Sequence, residues 1–402
     1  MTQFLMKSVD IGLFRGLLPA IVFAFPLSVQ SGEINVSDAA GLRNAVASAQ
    51  PGTTILLAPG NYGAGFNFTN VRGTPGRPVV IEGASPDELP LFSGGKEAIH
   101  LSDCNHLVLR NLKVSGCSAN GINCDDGGSF DTPSEGMVFD GITITDIGPE
   151  GNCDGIKLSG LKNFLVTDCR FNGWGGAGID MVGCREGVIK NSQFTGKEGF
   201  SQTTGIQAKG GTEKIRISGN FFHDAGARAI NLGGSTGNRY FRPALRDFEA
   251  KDLEVLGNHF VGSEAALAYA TSVDCVVRHN TIIHPRKWVF RILQERSLDD
   301  FQACRNGVFE ENLIVFDKRV GTFVNVGEGT KPETFTIRGN AWFCSDDTRR
   351  PALPVEEADG IYQIDPILDI SDVPAVKILS KNPQLKSVGA HAYLAERTGV
   401  KD

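Results

Sequence analysis

One short phrase recurs nine times along the chain: a β-branched run, then Asn or Asp, then an apolar or aromatic residue two or three places on. MVFDGITI at 137, IRISGNFF at 215 and FTIRGNAW at 335 are examples. The marked residues are Asn111, Asp140, Asp168, Asn191, Asn220, Asn258, Asn280, Asn312 and Asn340, at spacings of 29, 28, 23, 29, 38, 22, 32 and 28. A loose period of this kind predicts coils of constant cross-section with loop insertions of varying length. Three short strands and their turns consume about one period, and stacked coils pair each strand with its counterpart about 4.8 Å away. The expected fold is all-β, a single-stranded right-handed parallel β-helix (solenoid) with an N-terminal capping helix. Leucine-rich repeats share part of the phrase but keep a stricter period and more uniform Leu positions.

Within each coil the Asn or Asp is expected at a sharp turn, because it tolerates left-handed backbone and can bond to its counterpart one coil away. The aromatic that follows is expected to point inward and stack. The 49 Gly residues follow no triplet period and are read as turn formers.

The open end of such a helix is a row of unpaired backbone groups. Residues 37–50 answer this: Ser37 or Asp38 can cap a helix, and Leu42, Ala45, Val46 and Ala49 share one of its faces. The β-helix is expected over 32–344 and an irregular cap over 345–402, packed on or alongside the last coil. Residues 1–31, with Lys7 and Arg15 before an apolar run from Leu17 to Val29, read as a secretory signal, an uncleaved anchor being the alternative. Periplasmic or extracellular placement follows, without stable membrane insertion and as a monomer. Removing Lys7, Asp10 and Arg15 takes the formal charge from −7 to −8, which disfavours nucleic acid as a partner. Nine cysteines without a CxxC pair argue against zinc. Most read as small buried hydrophobes, and Cys304 with Cys344 is the first choice for a single bridge.

The entry SDAAGLRNAV followed by PGTTILLAPGNY, the Asn-punctuated coils and the tail IDPILDI with SKNPQLKSVG resemble secreted right-handed parallel β-helix proteins of the pectin-lyase-like superfamily. More distantly, the chain is similar to the alginate and chondroitin lyase family. The resemblance covers nearly all of the chain after residue 31. It implies the fold more specifically than the activity, since the superfamily includes lyases, hydrolases, epimerases and adhesins.

A second phrase locates one face. GINCD at 121, GIKLS at 155, GIDMV at 178, GIQAK at 205 and AINLG at 229 each place a small residue before an inward Ile. Alternation then sends Asn123, Lys157, Asp180, Gln207 and Asn231 outward as one polar column, with Asp125 and Lys209 beside it. The long spacing between Asn220 and Asn258 signals an inserted loop holding Arg239, Tyr240, Phe241 and Arg242, where aromatics can stack on sugar rings and Arg can fork onto a carboxylate. Loop 124–136 is expected to wall the opposite end of the groove.

The chemistry such a column can support is β-elimination at a uronic acid: a cation neutralises the carboxylate, and a Lys takes the neighbouring proton. GIQAKGG resembles the lysine phrase of the alginate and chondroitin lyase family, which makes Lys209 the base candidate, with Lys157 second. That family pairs its lysine with an arginine one coil onward and holds calcium with acidic residues shortly before it; here the matching places carry Gly233, Gln202 and Thr204. Arg228, Arg239, Arg242 and Arg291 are the candidates for the missing charge, Arg291 by extending the column. No cofactor is required on this reading; if calcium is used, Asp125, Asp126, Asp154 and Asp180 are the available ligands. The expected partner is an anionic polysaccharide.

A C5-epimerase would share the proton abstraction. A pectin-type hydrolase would need clustered aspartates with NTD and RIK phrases, and only the Asp125-Asp126 pair is present. A non-catalytic glycan-binding protein would use the same column to grip without reacting. His223 and His284 read as turn residues.

Overall fold

A computed structural model describes residues 32–398. The expected signal segment, 1–31, lies outside the described residues. Three long parallel sheets of 12, 10 and 12 strands run the length of the molecule. The first runs from Glu33–Val36 to Thr336–Arg338, the second from Phe66–Thr69 to Val324–Val326, and the third from Asn61–Gly63 to Ile361–Tyr362. Each coil contributes one strand to each sheet, so the chain winds into the β-helix that the repeat predicts.

Side chains of matching register stack inside it. Ile122, Ile156, Ile179, Ile206, Ile230, Leu267 and Phe290 form one buried column of the second sheet. In the third sheet Phe171, Phe194, Phe222 and Phe260 stack with successive centroid separations of 4.6, 4.9 and 4.9 Å and nearly parallel rings. The inward, stacking aromatic is thereby found after Asp168, Asn191, Asn220 and Asn258, whereas Val114, Ile144, Ile282 and Ile314 take its place after Asn111, Asp140, Asn280 and Asn312.

The nine marked Asn and Asp residues are not one structural position. Asn111, Asp168 and Asn191 hold the left-handed turn, with φ near +51 to +55°. At Asp140 that turn is made by the following residue, Gly141. From Asn220 onward the turn sits one place earlier, on Gly219, Gly257, His279, Glu311 and Gly339, and the Asn enters the core. There each amide bonds to the next: the Oδ1 of Asn258, Asn280, Asn312 and Asn340 accepts from the backbone N and Nδ2 of the Asn one coil before, at 2.9–3.0 Å. Ser192 precedes the ladder, giving its N–H to Asn220 Oδ1, and Glu357 closes it by accepting both donors of Asn340.

This ladder is a stability element. Asn280→Ala would strand the N–H of Asn258 and take away one of the bonds of its Nδ2 in a fully buried position, while Asn312 Oδ1 would keep only the backbone N–H of residue 280. At about 1–3 kcal/mol for each unsatisfied buried group, the expected loss is ~3–5 kcal/mol in denaturant unfolding. A loss below about 1 kcal/mol would show the ladder to be incidental.

Both ends are covered. Asp38 caps the helix Ala39–Ser48, its Oδ1 accepting from Gly41 N at 2.7 Å, and Leu42, Ala45 and Val46 are buried against the first coil. At the far end Ile361–Tyr362 adds one more strand to the third sheet. The chain then turns back along that sheet instead of stopping at the end: Leu385 and Val388 pack on Leu313 and Ala341, and Ala390 N bonds Thr281 Oγ1. The expected Cys304–Cys344 bridge is not formed, and all nine cysteines are free. Cys304 stacks beside Ser272 in a turn ladder, whereas Cys344 ends a strand of the third sheet and contacts Asp346.

Candidate functional site

The outward face of the second sheet carries the predicted column in register. Asn123, Lys157, Asp180, Gln207 and Asn231 are successive partners, and the same row continues through His100 on one side and through Ala268, Arg291 and Asn325 on the other. Lys209 lies in the next outward row, paired with Val182. Arg228 occupies the row before the column, aligned with Thr204.

Polar contacts group these residues of the floor into two sets on adjacent coils, which meet where Gln207 lies in register with Asn231. Lys157 Nζ is clamped between Asp180 Oδ2 and Asp154 Oδ2, the latter at 3.3 Å. Lys209 Nζ reaches the same Asp180 Oδ2 and also Gln207 Oε1, each at 3.3 Å. One coil on, Arg228 Nη1 donates to Asn231 Oδ1 at 2.9 Å and pairs with Glu295 Oε1 at 2.8 Å. The two lysine side chains retain 17% exposure, while the Asp154 and Asp180 side chains retain 1%. Burial, then the neighbouring Asp180 charge, pushes the Asp154 carboxyl up to about 6. Burial alone would lower Lys157, but the Asp180 and Asp154 carboxylates outweigh it and raise its pKa. Lys157 is thus held by two carboxylates at once.

Loops that leave the C-terminal ends of these strands raise one wall. The inserted loop after Gly233 is pinned by buried Glu249, which accepts from Gly210 N and Thr236 Oγ1 at 2.7 Å each. At the start of that loop Gly234 crosses the floor so closely that a Cβ would stand 2.8 Å from Gln207 Nε2. Loop 124–136 does not wall the opposite end as expected. It meets the inserted loop, because Arg242 Nε pairs with fully buried Asp126 at 2.7 Å and its guanidinium lies 4.2 Å from the Phe130 ring centroid. Arg242, a predicted substrate contact, is therefore a clasp between loops. Phe241 is buried against Phe301, whereas Tyr240 is 47% exposed and stacks with Arg239, leaving these two on the surface.

The four aspartates offered for calcium are divided among other partners. Asp125 accepts from Ser102 Oγ and Gly127 N and bonds His100 Nε2 at 2.7 Å. Asp126 belongs to Arg242, and Asp154 and Asp180 belong to Lys157. At the family's calcium places, Gln202 Oε1 accepts from Lys197 N and Thr204 Oγ1 donates to Arg228 O. Among the described residues no three His, Cys, Asp or Glu side chains are placed to hold one metal ion. The donor set does not fit a calcium ion.

Sequence reasoning missed His100, although Ala98-Ile99-His100 repeats the phrase that marks the column. Hydrogen bonds to Asp125 and then Glu97 raise its pKa to about 10, so its end of the column carries an imidazolium. Glu249 was also missed, and nothing in the local sequence marks it.

Two overlapping matches to the family model for a right-handed β-helix region span residues 97–282 and 154–343, more than half of the chain. A search of curated protein sequences finds no match. Among solved structures, an alginate lyase from Paenibacillus aligns with TM-score 0.51 and 18% identity, over 75% of this chain and 98% of that one. A pectate lyase aligns with TM-score 0.53 and 11% identity over 78% and 80% of the two chains. A family PL6 polysaccharide lyase from Pseudopedobacter saltans gives 0.50 and 14% over 89% and 99%. At these identities the likeness is one of fold. With three continuous parallel sheets and a family model matching most of their coils, the chain belongs to the right-handed β-helix family.

Proposed function

We propose that this protein is a polysaccharide lyase acting on a uronic-acid-containing polymer, with the outward face of the second sheet as its site. The observation that carries the reading is the in-register placement of the Lys157, Asp180, Lys209 and Gln207 cluster beside the Arg228–Asn231 pair. Arg228, held through Nη1 by Asn231 and Glu295, offers its remaining guanidinium hydrogens to the sugar carboxylate and so acidifies the proton on the adjacent carbon. Lys209 Nζ is the base assigned to that proton. The electron pair left behind forms the ring double bond as the neighbouring glycosidic C–O bond breaks, and the ammonium of Lys209 returns a proton to the leaving oxygen.

The two lysines divide the work for a structural reason. Removing a proton from Lys157 would leave two buried carboxylates without their clamp. Removing one from Lys209 leaves Asp180 still paired to Lys157. The same ammonium supplies positive charge to the floor without a divalent ion. The face is compatible with C5-epimerisation as well, which differs only in where the proton is returned.

The test uses uronate polymers and their carboxyl-reduced counterparts, each with and without a chelator. Cleavage confined to the carboxylated polymer and unchanged by the chelator is expected. Cleavage of the reduced polymer would remove the carboxylate-neutralising role of Arg228, and loss of activity with the chelator would remove Lys157 as the resident cation.

A further inference from the structure

Beyond Asn231 the column changes character. Ala265, Ala268 and Ala270 form a coil of small outward side chains, and the next coil sets Trp288 above Ala265 and Arg291 above Ala268. Arg291 is held in place on two sides. Its guanidinium lies over the Trp288 ring, 4.3 Å from the centroid, and its Nε donates to Asn325 Oδ1 at 2.9 Å. Arg228 already has Glu295 as an ion partner, but among the described residues Arg291 has no ion pair. Lys287 Nζ also sits over Trp288, 4.1 Å from its centroid, so the indole seats two cations and is not itself a bare sugar platform. Burial and the charge of Arg228 lower the Arg291 pKa against the opposing pull of the Glu295 and Glu264 carboxylates, neither of which pairs with it directly.

We propose that Arg291, backed by Trp288 and steered by Asn325, is the carboxylate-binding element of a remote subsite for an acidic sugar unit. The inference rests on reading this face as a uronate-binding site, and it assigns Arg291 to binding along the polymer and not to the reacting unit. Three coil steps separate the strand of Lys209 from that of Arg291, about 14 Å at about 4.8 Å per coil. One unit of an extended pyranose polymer advances by nearly one coil, so a chain lying along the axis brings successive units past successive coils. The unit over Arg291 is then the third beyond the one at Lys209. Its free Nη groups, on a guanidinium fixed through Nε, are arranged for a two-pronged bond to a carboxylate.

The test is calorimetric titration of a ladder of oligouronates, from dimer to hexamer, into the full chain carrying Lys209→Ala to suppress turnover. The tetramer is the first length to span both coils, and it should bind roughly tenfold more tightly than the trimer, a typical gain for one charge-assisted pair. Adding Arg291→Ala should bring the tetramer down to the trimer's affinity and leave the trimer unchanged. Arg291→Lys should recover part of the gain, and Asn325→Ala, which frees the guanidinium, should lose part of it while keeping the fold. Equal weakening at every length, no gain at the tetramer, or the same gain with a sulfated neutral tetramer would each overturn the proposal. If the gain appears although the unsubstituted protein makes no unsaturated product, the subsite stands and the lyase reading falls. If elimination proceeds without the gain, the subsite falls alone.

Discussion

Lys209→Ala is expected to lower the rate of unsaturated-product formation by about 10²–10⁴, the usual worth of a positioned general base. The loss should fall on kcat, because substrate contacts from Arg228, Gln207 and Asn231 remain. Stability should change little by comparison, since Asp180 keeps its contact with Lys157. Lys209→Arg should not restore the rate: a guanidinium keeps the charge but does not give up a proton near neutral pH. A Lys209→Ala rate within a few-fold of the unsubstituted protein would remove Lys209 as the base.

Lys157→Ala should have the larger effect on folding. Lys157 is the shared partner of two carboxylates with 1% exposure, and Asp180 Oδ1 has no hydrogen-bond partner. Taking away one member of a buried ionic cluster costs about 3–5 kcal/mol, because the charges left behind remain desolvated. The sign of the pH dependence follows from Asp154. Its folded pKa, about 6, lies above the ordinary 3.8, so the folded state binds the proton more tightly. Stability from that group is greatest below about pH 4 and is lost as pH rises through about 6. Without Lys157 the lowering influence on Asp154 disappears and this window moves upward. The variant's deficit, measured by denaturant unfolding, should therefore be smaller near pH 5 than near pH 8. A deficit that does not vary with pH would mean that Asp154 and Asp180 do not drive it.

The second sheet was legible in the sequence because two simple periods fix it. Alternation decides which side chains point outward, and in-register stacking decides which of them meet, so Lys157, Asp180, Gln207 and Asn231 align without knowledge of the loops. Arg291 joins them for the same reason. The left-handed turn and the core amide ladder were merged into one position because Asn serves both, one residue apart, as Asn191 and Asn220 show. Loop partnerships were out of reach. The Asp126–Arg242 contact joins residues 116 apart in sequence, and it depends on which corner of the coil each insertion leaves from. The calcium cluster failed on competition: each aspartate has a cationic side chain from its own or a neighbouring coil or loop, and a list of acidic residues does not display those partners.

The most direct measurement is the chemistry of the new chain end when the protein is incubated with a panel of uronate polymers. Fragments should appear with ultraviolet-absorbing unsaturated ends in proportion to the bonds broken, and Lys209→Ala should lose them. New reducing ends without that absorbance would instead identify hydrolysis. Glycan binding with neither signal and with the uronate configuration unchanged would identify a gripping surface, and either result would contradict proton abstraction by Lys209.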